Sequence, residues 1–84
     1  MIYKICIEDK NLNKVKDLCS ICFDNFTVYY TEKYWKGKRE KNIVIEINTE
    51  KDYELIEAIA RKIKSLNGQE AILITWSIED SKLV

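Results

Sequence analysis

The sequence has no histidine and no proline, only two glycines, and no excess of either charge. Each absence excludes something. Without histidine there is no Ser–His or Cys–His nucleophile pair and no histidine metal site. Without proline nothing interrupts regular elements, which fits a compact chain of helices and strands. The net formal charge is zero, from 14 acidic and 14 basic residues, whereas a general nucleic-acid binder carries a clear positive excess. The apolar runs are too short to span a bilayer, so no membrane role is expected. The first residues hold neither a basic leader nor a long apolar segment, which predicts no secretory signal and a cytoplasmic location. Three cysteines, an odd number, suit a reducing compartment better than a disulfide framework.

What is present describes a small fold. The 84 residues, 46% of them apolar, make one domain spanning 1–84. A core of this size gains from association with a second copy, so a homo-oligomer is expected. Lysine outnumbers arginine 12 to 2 and isoleucine occurs 13 times, a bias that fits an AT-rich coding genome.

Periodicity predicts the elements. Ile2 to Glu8 alternates as a strand, with Tyr3, Ile5 and Ile7 on one face and Ile2, Lys4 and Cys6 on the other. Asp9 or Asn11 can cap a helix whose stripe is Leu12, Val15, Leu18, Cys19 and Cys22, and Asp24-Asn25 ends it. Phe26 to Trp35 reads as a strand, Gly37 as a turn, and Asn42 to Asn48 as the returning strand. Thr49 and Asp52 resemble a capping box for a second helix striped by Tyr53, Ile56, Ile59, Ala60, Ile63 and Leu66. Asn67-Gly68 stops that helix. Ala71 to Ile78 is the last strand, with Trp76 placed in the core beside Ile72, Ile74 and Ile78, and residues 79–84 form a loose tail.

The order β-α-β-β-α-β predicts an α+β, ferredoxin-like fold: one four-stranded antiparallel sheet with both helices on one face. The other face is then free of helices. Cys6, Tyr29, Val44 and Glu46, with Thr31 and Thr75, are its candidates, and they are apolar enough to suggest an interface with a second subunit or a ligand. Of the adjacent Tyr29 and Tyr30, one should enter the core and the other this open face.

Several constellations have a plain structural reading. Cys19-Ser-Ile-Cys22 has the Cys-x-x-Cys form, but it falls late in a helix and on its apolar stripe, which favours packing over redox chemistry. Glu50, Asp52, Glu54 and Glu57 suit the positive end of the second helix dipole. Glu8-Asp9, Glu46 and Glu79-Asp80 make no recognised metal spacing. No cofactor is implied.

Residues 33 to 41 stand apart, with five basic residues among nine, two adjacent aromatics and one of the two glycines. A functional reading makes this hairpin an anion-binding or aromatic-stacking loop, with Tyr34, Trp35, Lys36, Lys38 and Arg39 as the contacts. A structural reading makes it a solvated turn whose lysines guard an edge strand.

Phe26-Thr27-Val28-Tyr29, then Tyr34-Trp35-Lys36-Gly37, then a strand with Glu46, then Gln69-Glu70-Ala71-Ile72-Leu73 follow an order seen elsewhere. Over about residues 23 to 75 the chain resembles small phage and prophage proteins with an aromatic-Trp-x-Gly turn and a closing Gln-Glu-small-aliphatic-aliphatic strand. It is distantly similar to a bacterial lipoprotein-associated domain family, from which it departs in lacking an export signal. The phage resemblance implies an accessory protein that counteracts host defence by binding a protein or a nucleotide signal. It brings no catalytic set. In the Gln69-Glu70 piece, a glutamine amide can satisfy loop backbone groups, or both side chains can read a ligand.

The leading expectation is therefore a non-enzymatic, oligomeric protein that sequesters or blocks an anionic small molecule or an acidic host-protein surface through the basic turn. The alternative is a structural or regulatory assembly module working through Cys6, Tyr29, Val44 and Glu46. An enzyme built on carboxylates, tyrosine or lysine is a third reading, which turnover of a nucleotide panel would discriminate.

Overall fold

The protein is described by a computed structural model over residues 1–78. The expected tail, with Glu79 and Asp80, lies outside the described residues. The elements are β1 (Ile2–Glu8), α1 (Leu12–Cys22), β2 (Thr27–Trp35), β3 (Lys38–Asn48), α2 (Tyr53–Asn67) and β4 (Leu73–Ser77). All four strands join one antiparallel sheet in the order β2-β3-β1-β4. With the β-α-β-β-α-β sequence of elements this is the ferredoxin-like layout.

The core lies between the helices and one face of the sheet. Its floor is the isoleucine-rich face of the two central strands, Ile5 and Ile7 of β1 beside Ile43, Ile45 and Ile47 of β3, all essentially inaccessible. Its roof is Val15 and Cys19 of α1 with Ile56, Ile59, Ala60 and Ile63 of α2. β-Branched isoleucine suits a pleated, fully covered strand. Each such side chain contributes about 1.5–3 kcal/mol on burial.

A hydrogen-bonded clasp ties the helices to the sheet. Asn11 adopts a left-handed backbone at φ 53°, and its side chain does not cap α1. Instead Asn11 Nδ2 donates to Leu66 O at 3.2 Å and to Asn67 Oδ1 at 3.0 Å. Asn67 is buried, and its Nδ2 donates to Gln69 Oε1 at 2.9 Å. Gln69 in turn accepts from the Glu8 backbone N–H at 3.4 Å and donates to Ala71 O at 3.4 Å. Beneath it, Gly68 at φ 64° and the Gln69 N–H close α2 in a Schellman turn. The start of α1, the end of α2, the end of β1 and the approach to β4 thus meet in one chain of amides.

Four expectations need correction. Trp76 is not a core residue: it is 56% exposed on the edge strand β4, its ring 5.3 Å from that of Tyr53, while Ile78 lies beyond the strand and is exposed. Neither Tyr29 nor Tyr30 enters the core, being 46% and 69% exposed, because the helices cover the central strands and leave the outer part of β2 bare. Thr49 does not complete a capping box. The helix starts at Tyr53, so Asp52 is the N-cap and has no side-chain cap bond, whereas Thr49 Oγ1 accepts the Lys51 N–H at 3.1 Å in the preceding turn. Finally, β3 begins at Lys38, four residues before Asn42, because its charged first turn of sequence pairs with β2 in open solvent.

Candidate functional site

The early start of β3 changes the shape of the basic segment. Lys36 and Gly37 have φ of 50° and 77°, and they join Trp35 to its partner Lys38. Two consecutive left-handed residues make a type I′ turn, whose twist matches that of paired strands. Pairing with β1 stops at Asn42. Residues 32–35 and 38–41 therefore form a two-stranded ribbon that leaves the sheet by about 13 Å, at ~3.3 Å per residue. Every residue from Glu32 to Lys41 is exposed.

The five residues expected to form a binding patch divide between the ribbon's two faces. Cross-strand partners share a face, and the register pairs Tyr34 with Arg39 and Trp35 with Lys38. On the helix side, Glu32 engages the first pair. Tyr34 Oη donates to Glu32 Oε2 at 3.3 Å, and Arg39 Nε lies 3.3 Å from Glu32 Oε1. On the other side Trp35 and Lys38 sit together, and the Lys36 ammonium lies 5.9 Å from the Trp35 ring centroid. Closer to the body, Lys33 faces Glu40 and Glu32 faces Lys41, so charge balances there. Positive charge without a cross-strand carboxylate is confined to the tip, at Lys36 and Lys38.

The helix-free face holds the other predicted residues. Tyr29, Val44, Cys6 and Leu73 are successive partners across all four strands, which lines them up as one apolar row. Leu73, 62% exposed, was not singled out from sequence. Its alternation with Ile72 and Ile74 carried the signal, since β4 neighbours must face opposite ways. The adjacent row is polar, with Tyr29 Oη donating to Glu46 Oε2 at 3.2 Å and Lys4 Nζ 3.8 Å from Glu46 Oε1. The nearby Glu46 carboxylate, and the hydrogen bond to it, raise the Tyr29 phenol pKa. Thr31 and Thr75 share this face, as expected.

No protein-family model matches the chain, and no curated protein matches it.

The remaining groups bear on chemistry. Burial, with a smaller effect from Cys22, pushes the Cys19 thiol up to about 11. It stays protonated at neutral pH and packs as an apolar group, in line with the structural reading of Cys19-Ser-Ile-Cys22. Burial also raises the Cys6 pKa, against the opposing pull of the Lys33 and Lys4 ammonium groups. Among the described residues, no three side chains of the histidine, cysteine, aspartate and glutamate set gather as a metal site. No described helix is long and apolar enough to cross a membrane.

Proposed function

We propose that this chain is a cytoplasmic binding protein that blocks a partner protein by inserting its ribbon tip into an acidic cleft. One observation carries the reading: the cations without carboxylate partners sit on a projecting, convex tip beside an exposed tryptophan. Small-molecule sites are concave and bury most of their ligand. Trp35, Lys36 and Lys38 project around the turn, which suits insertion into a protein groove better than enclosure of a free nucleotide. Tryptophan and arginine are the residue types that dominate binding energy at protein interfaces. The resemblance to phage proteins supports a host protein as the partner and counter-defence as the setting.

The second reading, self-assembly through the helix-free face, is favoured by the apolar row of Tyr29, Val44, Cys6 and Leu73. A charged residue in place of Val44 then dissociates the oligomer in sedimentation. An unchanged profile, or a monomeric parent protein, counts against it.

The tip reading has a test that separates binding from folding. Lys36 occupies a left-handed position that asparagine tolerates better, and Asn-Gly is the favoured pair for this turn. Lys36→Asn is expected to stabilise the protein by about 0.5–1 kcal/mol while removing a contact charge. Combined with Lys38→Glu, it is expected to weaken partner binding by about 10–100-fold. Arg39 is left in place, because reversing it would set two carboxylates together at Glu32. Equal affinity of the double variant and the parent would remove the tip from the account. Saturable binding of a nucleotide, lost in the same variant, would replace the protein partner with a small one.

A further inference from the structure

Among the described residues the sheet has two open edges, β2 and β4, and β2 is the longer, nine residues against five. Alternate N–H and C=O groups of β2 bond to β3, and the intervening ones point away from the sheet. No other described backbone group meets that outer row. A bare edge is a template for another strand, and proteins ordinarily guard one with lysine, proline or a bulge. Thr27 to Thr31, reading Thr-Val-Tyr-Tyr-Thr, has none of these. Its register with β3 is unbroken, and the first charge along β2 comes at Glu32, where the ribbon departs.

The segment is complementary to itself. Laid antiparallel on a second copy with Tyr29 opposite Tyr29, it sets Val28 against Tyr30 twice and Thr27 against Thr31 twice. Aromatic with β-branched and threonine with threonine are favourable cross-strand pairs, and no charge enters the block. The faces match as well. Val28 packs on the core, so Val28 and Tyr30 lie on the helix side, with Thr27, Tyr29 and Thr31 on the helix-free side. This register also extends the apolar row. Tyr29, Val44, Cys6 and Leu73 line up across one sheet, and a two-fold axis at Tyr29 joins that row to its copy across eight strands. A register centred on Thr31 pairs more residues, but it sets Lys33 opposite Tyr29 and interrupts the row.

We propose that the protein is a two-fold dimer through the β2 edge, with Thr27–Thr31 of the two copies paired antiparallel about Tyr29 in one continuous sheet. The contact is isologous, each copy giving the same strand. It uses the strand edge and not the helix-free face. The antiparallel arrangement sends the two ribbons in opposite directions. Trp35 is six residues along from Tyr29, so the tips stand about 40 Å apart at ~3.4 Å per residue. On the tip reading, the dimer then suits a partner assembly with two acidic clefts at that spacing. The dimer itself does not depend on that reading.

Two variants of the full chain, compared with the parent by sedimentation equilibrium, test the pairing. Both carry Thr27→Lys, at a position beside Glu46 of β3. One adds Thr31→Lys and the other Thr31→Glu. Within one copy, positions 27 and 31 are about 14 Å apart along the strand, beyond the screening length at physiological salt. Across the proposed axis each faces the other. The lysine–lysine variant is expected to bind its copy about tenfold or more weakly than the lysine–glutamate variant, which should remain dimeric like the parent. In the parent, amide exchange should be slow at every residue from Thr27 to Thr31, because a strand paired on one side protects only alternate amides. That measurement decides the matter if a variant does not fold. A monomeric parent overturns the proposal, as does alternating protection. So do two variants that stay equally dimeric, which returns assembly to the helix-free face, or two that dissociate equally, the outcome for pairing about Thr31.

Discussion

Replacing Ile45 with alanine is expected to destabilise the protein by about 2–5 kcal/mol. Ile45 is 1% exposed, and it pairs with Ile5 on one side and Val28 on the other, with Ile74 one strand further. It therefore sits in the middle of the row that both helices cover. Truncation removes three carbons from a site whose neighbours are stiff, β-branched side chains with little freedom to collapse into the space. At roughly 0.05–0.15 kcal/mol per residue, a domain of this size has only ~4–13 kcal/mol in total. A loss of this size is a large part of that, and it would appear as a sharply lowered midpoint in urea with little change in slope. A shift no larger than that of an exposed substitution such as Ala58→Ser would contradict the placement of the core.

The second large effect is expected at Asn67. Changing it to leucine should cost about 1–3 kcal/mol, although the residue is buried. An apolar side chain fits such a site by volume. It cannot receive the Asn11 amide or donate to Gln69, and both bonds, at 3.0 and 2.9 Å, would be lost together. Asn11 and Gln69 would each retain one or two weaker partners, so the loss should be smaller than for a fully orphaned pair. Because the clasp joins the end of α2 to the end of β1, amide exchange should rise at both places at once. A rise confined to the last turn of α2 would mean that the clasp does not couple the elements. Asn67→Asp probes the same site differently, since it keeps the acceptor for Asn11 but presents a carboxylate to Gln69 Oε1.

Much of this fold could be read in the sequence, and the reasons are local. The period-2 isoleucines of Ile5–Ile7 and Ile43–Ile47 and the 3.6-period stripe of Ile56, Ile59 and Ile63 each have one buried side, so burial and pattern carry the same information. The helix stop at Gly68 was legible because its backbone requirement is written in one residue. Legibility failed where no face is buried. Residues 38–41 are a strand by pairing alone, and a strand wetted on both sides shows no alternation. Trp76 failed for the opposite reason: its apolar character was read as burial, although an edge strand offers an aromatic ring only partial cover from Tyr53.

The candidate sites divide in the same way. The basic tip was visible as composition. Its division into a Trp35–Lys38 side and a Tyr34–Glu32–Arg39 side was not, because it depends on a register that only the turn geometry sets. The assignment of Cys6, Tyr29, Val44 and Glu46 to a single face followed from strand parity. The Asn42 Nδ2, buried without a hydrogen-bond partner among the described residues, left no mark in the sequence at all. An asparagine within a strand resembles any other until its neighbours in space are known. Gln69 lies between these cases: the structural role weighed from sequence is the one its hydrogen bonds fulfil.

Photo-crosslinking from the ribbon tip tests the central claim most directly. A photoreactive residue in place of Trp35, activated inside the cell that makes the protein, should form an adduct with one defined protein of acidic surface. The same residue in place of Ala58, exposed on α2, should not form it, and Lys36→Asn with Lys38→Glu should abolish it. Adducts identical from both positions, or a position-35 adduct indifferent to the loss of both lysine charges, would contradict a tip that binds through its cations.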